Sequence, residues 1–204
     1  DTAPAMIALD AQMVIRSSGG ERIVAAQDYF VGPGTDIMRL TTLQPGELLT
    51  AIRIPGTWAG AEFYTEKVAD RKVWDFPLVN IAAALKVSGT TIERARIVVN
   101  AVAAQPMRLE AVEQFVAGKP RNEETANAAG ELAVRGAVPL AHNAYKIPLM
   151  RNLVKQADKL YGARPMSRLM QTTVKKKLVD AILFGPLTTS GSAVVDVEGD
   201  ELTA

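Results

Sequence analysis

The sequence predicts an α+β fold: a three-stranded antiparallel sheet with packed helices, followed by a C-terminal helix and a β-hairpin. Three observations point there. Apolar residues alternate within 48–55, 79–87 and 92–102, which are joined by short connections and so favour an antiparallel meander. Between 109 and 160 the apolar spacing lengthens to that of a helix. Beyond 161 one more helical stripe is followed by two short β runs around Gly199-Asp200.

Taken in order, Met6, Ile7, Leu9, Met13, Val14 and Ile15 precede Ser17-Ser18-Gly19-Gly20, and Ile23-Val24 follow it, which reads as a hairpin. Asp28-Tyr29-Phe30 and Gly32-Pro33-Gly34 make an irregular corner with its aromatics pinned in the core. Pro33 lacks the backbone donor that a phosphate-binding loop needs at that point, so the two glycines mark a turn. The run 48–55 stops at Pro55, as an edge strand does. Residues 62–76 crowd charges and aromatics together and end at Pro77, predicting an ordered loop that delivers the chain onto the apolar strand 79–87. By themselves these residues also fit a surface hairpin with solvated charges. Helices are expected over 109–117, closed by Gly118; over 122–134, capped by Asn122; and over 145–160, with Pro148 in its first turn. Pro165 suits the start of a helix reaching Gly185-Pro186, and 193–203 forms the closing hairpin.

The bulk properties narrow the function. A chain of 204 residues holds one good core with room for an appendage. Its 23 basic and 22 acidic residues nearly cancel, which argues against a nucleic-acid or anionic-membrane footprint. With no cysteine it offers no disulfide, thiolate zinc site or iron–sulfur ligand, which fits a cytoplasmic protein. No run approaches the ~20 apolar residues of a membrane span. The opening Asp1-Thr2-Ala3-Pro4 has neither initiator Met nor signal pattern and predicts a start inside a longer protein. His142, beside Asn143 in an expected loop, is read as structural; no catalytic residue and no metal ligand is assigned.

Tyr64-x-x-Lys67-x-x-x-Arg71, followed by Trp74-Asp75-Phe76-Pro77-Leu78-Val79-Asn80-x-Ala82-Ala83-Ala84-Leu85, resembles the flavin subunit of the molybdenum hydroxylases, the xanthine dehydrogenase and carbon monoxide dehydrogenase family. Asp1-x-x-Pro4-Ala5 with Ala8-Leu9-Asp10-Ala11, Asp28-Tyr29-Phe30-x-Gly32-Pro33-Gly34, Pro45-Gly46-Glu47-Leu48-Leu49-Thr50 and Asn143-x-Tyr145-Lys146-x-Pro148-Leu149 continue the likeness in family order. The resemblance covers 1–157 and implies the end of an FAD-binding domain plus the family's C-terminal domain. It implies FAD as cofactor, at an incomplete site, because the family's glycine-rich pyrophosphate loops precede this segment. Carried over singly, Asp1 matches an aspartate beside the ribityl chain and ring, Leu49 a leucine packed on the isoalloxazine, and Lys67 a lysine beside the ring. Asp75 matches an acidic position near the flavin. The implied partners are a molybdopterin-binding large subunit and an iron–sulfur small subunit, with electrons passing through the clusters to FAD.

Residues 158–204 resemble something else. Leu160-Tyr161-Gly162-Ala163-Arg164-Pro165, Leu178-x-x-x-Ile182-Leu183-Phe184-Gly185 and Gly191-x-x-x-Val195-x-Val197 are similar to the C-terminal end of Clp-family ATPases. There the arginine matching Arg164 senses nucleotide, but this chain has no Gly-x-x-x-x-Gly-Lys-Ser/Thr loop, so Arg164 is read as a helix-start residue and Lys175-Lys176-Lys177 as a solvated face. Two resemblances on one chain imply a fusion of partial sequences. The competing function is accordingly a non-enzymatic interaction module whose Clp-like end docks on a ring neighbour.

Overall fold

The computed structural model describes residues 1–71, 73–158, 196–198 and 201–203. The chain divides into two compact units, Asp1–Lys159 and Leu160–Ala204.

In the first unit, helix α1 (Ala3–Ala8) opens with Pro near its N-terminus. It ends in a Schellman arrangement: the Ala11 amide donates to the Met6 carbonyl (2.9 Å) and the Asp10 amide to the Ile7 carbonyl (3.1 Å). Asp10 adopts φ +53°, a conformation Asp tolerates better than most residues. Met6 and Ile7 thus lie in a helix and not in the first strand of the hairpin. Pro4 favours a helical start, and the apolar residues fall on the side that packs inward. The hairpin itself is β1 (Gln12–Ser17) and β2 (Gly20–Ala25). A short helix α2 (Ala26–Tyr29) makes the corner, with Tyr29 buried and stacked edge-on to Phe30 at 5.3 Å.

Strand β3 (Leu48–Arg53) pairs with β1, giving a three-stranded antiparallel sheet in the order β2-β1-β3. The expected meander joined this strand to 79–87; its place there is taken by β4 (Glu62–Val68), part of the expected loop. Its charges did not prevent a strand, because on a sheet edge they point to water while the backbone pairs with its neighbour. Strands β4, β5 (Val79–Ser88), β6 (Thr91–Asn100) and the two-residue β7 (Met107–Arg108) form a second antiparallel sheet in chain order.

Residues 79–85 of β5 are buried without a break. Alternation suggested one covered face, but the small Ala82-Ala83-Ala84 lets packing close on both. Ala82 and its register partner Val98 share a core with Ile7, Met13, Ile15 and Tyr29. Helices α3 (Glu110–Val116), α4 (Glu123–Ala133) and α5 (Lys146–Asp158) follow, with α3 against β6, α5 against β5, and α4 bridging α3 and α5. The Asn122 side chain accepts from the Thr125 amide at 2.9 Å, the expected cap, and Gly118 takes φ +77°. Gly130 lies where α4 touches α5: a Cβ there would sit 2.9 Å from the Arg151 carbonyl oxygen.

In the second unit, β8 (Asp196–Glu198) and β9 (Glu201–Thr203) pair antiparallel as the closing hairpin. The helix expected from Pro165, Arg164 and the lysine run at 175–177 lie outside the described residues. Among the described residues no helix is long and apolar enough to cross a membrane.

Candidate functional site

Three of the four sequence-assigned residues meet at one place. Lys67 lies on β4 directly opposite Asn80 of β5, so their side chains share a face. The Lys67 ammonium donates to Asp1 Oδ2 and to the Asp75 carbonyl, both at 2.5 Å. Asn80 Nδ2 donates to the Asp1 carbonyl at 3.1 Å. The sheet register therefore brings Asp1, two residues ahead of α1, onto the edge of the second sheet, across 66 positions of sequence.

The loop between β4 and β5 is closed at its base by the Leu78 amide, which donates to the Val68 carbonyl at 2.7 Å. Inside it the Asp75 carboxylate accepts from Arg71 Nε at 3.1 Å and from its own neighbour, the Phe76 amide, at 3.0 Å. The Arg71 guanidinium holds the Asp75 carboxyl below the usual aspartate range; the Phe76 amide and the Lys67 charge act in the same direction. Asp75 thus reaches the cluster through its carbonyl, while its carboxylate is committed to Arg71. The clamp sets out Val73, Trp74 and Phe76, which are 68%, 102% and 88% exposed.

Leu49 sits apart from these contacts, on β3, opposite Ile15 and partly exposed. His142 is exposed in the turn before α5. Clefts of about 360 and 300 Å³ occur elsewhere, lined respectively by Gln27, Gln105 and Arg108 and by Val134, Val138 and Ile147, and neither includes the four assigned residues. Tyr64, first residue of the sequence pattern, gives its hydroxyl to Gln156 Oε1 at 3.2 Å, and burial pushes its pKa upward. It ties β4 to α5. Among the described residues no group of His, Asp and Glu is arranged to hold a metal.

Sequence reasoning assigned no role to Asn80, which is 4% exposed with its Oδ1 buried and lacking a protein partner. A single amide inside an apolar strand was the available signal. It also passed over a second charged cluster. Trp58 is 2% exposed and donates from Nε1 to Asp10 Oδ2 at 2.8 Å. Asp10 Oδ1 pairs with Arg96 Nη2 at 2.7 Å, and Arg94 stacks over the indole at 4.6 Å.

Comparison with known proteins gives these clusters a setting. Residues 1–57 match the FAD binding domain in molybdopterin dehydrogenase, and 64–159 the CO dehydrogenase flavoprotein C-terminal domain. The chain is 34% identical over 124 residues to the glyceraldehyde dehydrogenase medium chain of Sulfolobus acidocaldarius, covering 61% of this chain and 42% of that one. It is 32% identical over 152 residues to the aldehyde oxidoreductase FAD-binding subunit of Escherichia coli, covering 74% and 44%. The structure of carbon monoxide dehydrogenase from Hydrogenophaga pseudoflava lacking the Mo-pyranopterin moiety superposes with a TM-score of 0.68 at 30% identity, covering 77% and 54%. The chain thus spans about half the length of the relatives it matches. Residues 149–195 also match the C-terminal, D2-small domain of ClpB protein, and 45 residues are 44% identical to chaperone protein ClpB of Bacillus cereus, covering 22% of this chain and 5% of that one. The two matches overlap inside α5. The chain belongs to the family of the FAD-binding medium subunits of molybdenum hydroxylases, through its match to the FAD binding domain at 1–57 and to the flavoprotein C-terminal domain at 64–159.

Proposed function

We propose that this chain supplies one wall of the flavin site in the electron-transfer subunit of a molybdenum hydroxylase. The carrying observation is the convergence of Asp1, Lys67 and Asn80 beside an exposed aromatic loop.

The residues fit one side of such a cofactor. An ammonium has three N–H donors. Asp1 and the Asp75 carbonyl engage two of those on Lys67, and the third suits an acceptor on the ring. The buried Asn80 Oδ1 is an acceptor without a protein donor. Leu49, Trp74 and Phe76 offer apolar surface to a planar heterocycle. Nothing in 1–57 resembles a phosphate cradle, since Pro33 interrupts the Gly32–Gly34 turn. When bound, FAD supplies the redox chemistry, passing electrons on toward an acceptor. The chain's own part is positioning and charge. Asp1 and the Asp75 carbonyl fix the ammonium, whose positive charge favours added negative charge beside it. Arg71 restrains the loop that carries Trp74 and Phe76, whose exposed rings are free to cover a bound cofactor. Its partners would be the molybdopterin-binding and iron–sulfur subunits of the same complex.

The test is a single-chain fusion that places, ahead of Asp1, the part of the Escherichia coli FAD-binding subunit preceding its match. The fusion is expected to purify yellow, with close to one FAD per chain by absorbance. Asp1→Ala with Lys67→Ala should cut that occupancy at least tenfold at micromolar flavin. A folded but colourless fusion, or unchanged occupancy in the double variant, would contradict the reading.

A second reading attaches to the tail. The 44% identity over 45 residues to a ClpB favours an interaction segment that docks on a ring neighbour. Co-elution with a ClpB hexamer in size-exclusion chromatography supports it, and elution at the monomer position in the same mixture counts against it.

A further inference from the structure

We infer that the cleft between the end of β6 and the α4–α5 connection is a binding site for a small carboxylic acid with an apolar body, held as its anion. The site is independent of the flavin reading.

The cleft is built on a turn that the sequence braces. Helix α4 ends at Ala133, and Gly136, at φ +77°, reverses the chain. The Ala137 amide donates to the Val134 carbonyl at 3.0 Å. Asn143 then ties down the return: its Oδ1 accepts from the Leu140 amide at 2.7 Å and its carbonyl from the Lys146 amide at 3.0 Å. This well-bonded turn nevertheless leaves Val138 85% exposed. Val102, Val134, Ile147 and Met150 continue the apolar lining around about 300 Å³, the small end of the range for ligand sites.

The charge in the cleft has one sign. Arg135 and Lys146 line it, and among the described residues no Asp or Glu does. Lys146 is half-buried and donates from Nζ to the Ala101 carbonyl at 2.7 Å. That bond steadies a non-glycine residue at φ +65° and occupies one of the three N–H donors of the ammonium. Glu131 of α4 is paired with Arg151 and Lys155, and among the described residues no carboxylate pairs with Lys146. A cation bonded to a neutral carbonyl keeps donors for an anion, and charge-assisted bonds are the stronger kind.

Apolar walls with two cations and no carboxylate complement a hydrocarbon or aromatic body that carries one carboxylate. The small concave volume suits a free molecule, whereas a stable protein partner needs a far broader face.

Methyl-resolved NMR titration of the 204-residue chain with 3-phenylpropionate tests the assignment. The methyl signals of Val134, Val138, Ile147 and Met150 are expected to shift and saturate with a Kd of about 0.1–1 mM. 3-Phenylpropionamide, which keeps the ring and loses the charge, should bind about tenfold more weakly. Arg135→Glu, at an exposed position, should weaken the acid about threefold and leave the amide alone. Lys146→Met keeps the aliphatic stem and should bring the acid down to the affinity of the amide. Arg16→Glu, the same charge reversal outside the cleft, should change neither. Equal affinity for acid and amide overturns the inference, as does a titration that fails to saturate below about 10 mM. So do the same methyl shifts produced by raising the protein concentration without ligand, since a second copy of the chain then covers the cleft. Where Lys146→Met fails to fold, the acid–amide comparison and Arg135→Glu decide.

Discussion

The two charged clusters of the first unit are built from similar parts and differ in how far they are buried. Asp10, Trp58 and Arg96 form a buried knot: Arg96 is 8% exposed and Trp58 2%. Lys67, Asp1 and Arg71 form an open one, with side chains 33%, 50% and 71% exposed. The knot joins α1, the turn before β4 and strand β6, so it spans the segments matched to two different domains. Its charges are desolvated: burial lowers the Arg96 pKa, and the nearby Asp10 carboxylate acts against that. The open cluster keeps its charges near water, where a bound molecule can use them. A charge that holds a fold together is committed to partners in the protein; a charge that recognises a ligand retains unused capacity.

Stability measurements can break that contrast. Trp58→Ala removes the largest buried side chain and its bond to Asp10, and is expected to cost about 3–5 kcal/mol in urea denaturation. A loss below about 1 kcal/mol would mean that the two matched segments are held together elsewhere. Asp10→Gly sharpens the point. Glycine accepts φ +53° more easily than Asp, so the backbone is relieved while Arg96 loses its carboxylate. We expect a net cost of about 2–3 kcal/mol, reduced from a fully buried pair because Asp10 is partly exposed. A stabilised Asp10→Gly would show that strain, not the ion pair, dominates there.

The Arg22–Glu47 pair stands between the two clusters, bidentate but near the surface. The Arg22 hydrogen bonds hold the Glu47 pKa down to about 2, with the Gln44 amide adding to the effect. A depressed carboxyl contributes its stability above the unfolded-state value and loses it as the pH falls through the folded one. The contribution is therefore complete above the ordinary glutamate range and fades as the pH drops toward about 2. Glu47→Gln should flatten the acid limb of the Tm–pH curve in that window and leave its shape near neutrality alone. An unaltered acid limb would remove the pair from the stability of the loop between α2 and β3.

Much of this was legible from residues. The period of 79–87, the Asn122 cap and the Gly118 stop led to the right elements because backbone propensity and packing agree there. The family likeness singles out Lys67 and Asp1, and the fold places them in contact. Strand β4 was missed because charge on an edge strand looks like charge on a loop until its neighbour is known. The pairing of β3 with β1 was missed for a related reason: alternation marks a strand, not its partner. The Asp10–Trp58–Arg96 knot links three remote positions, and no local pattern announces such a contact.

Lys67→Ala is the smallest perturbation of the fold and the most direct test of the central claim. An exposed ion pair contributes about 0–1 kcal/mol, so the variant should keep its Tm within a few degrees. In the flavin-loaded fusion its effect should be on the cofactor. Loss of a partly exposed charged hydrogen bond, about 1.5 kcal/mol, corresponds to a fall of ~30 mV in a two-electron midpoint potential. Lys86→Ala, further along β5, is the control and should leave the potential within a few millivolts of the parent. A potential lower by a few tens of millivolts for Lys67→Ala alone is the result this account predicts; equal potentials for the parent and both variants would take Lys67, and the cluster it anchors, out of the flavin site.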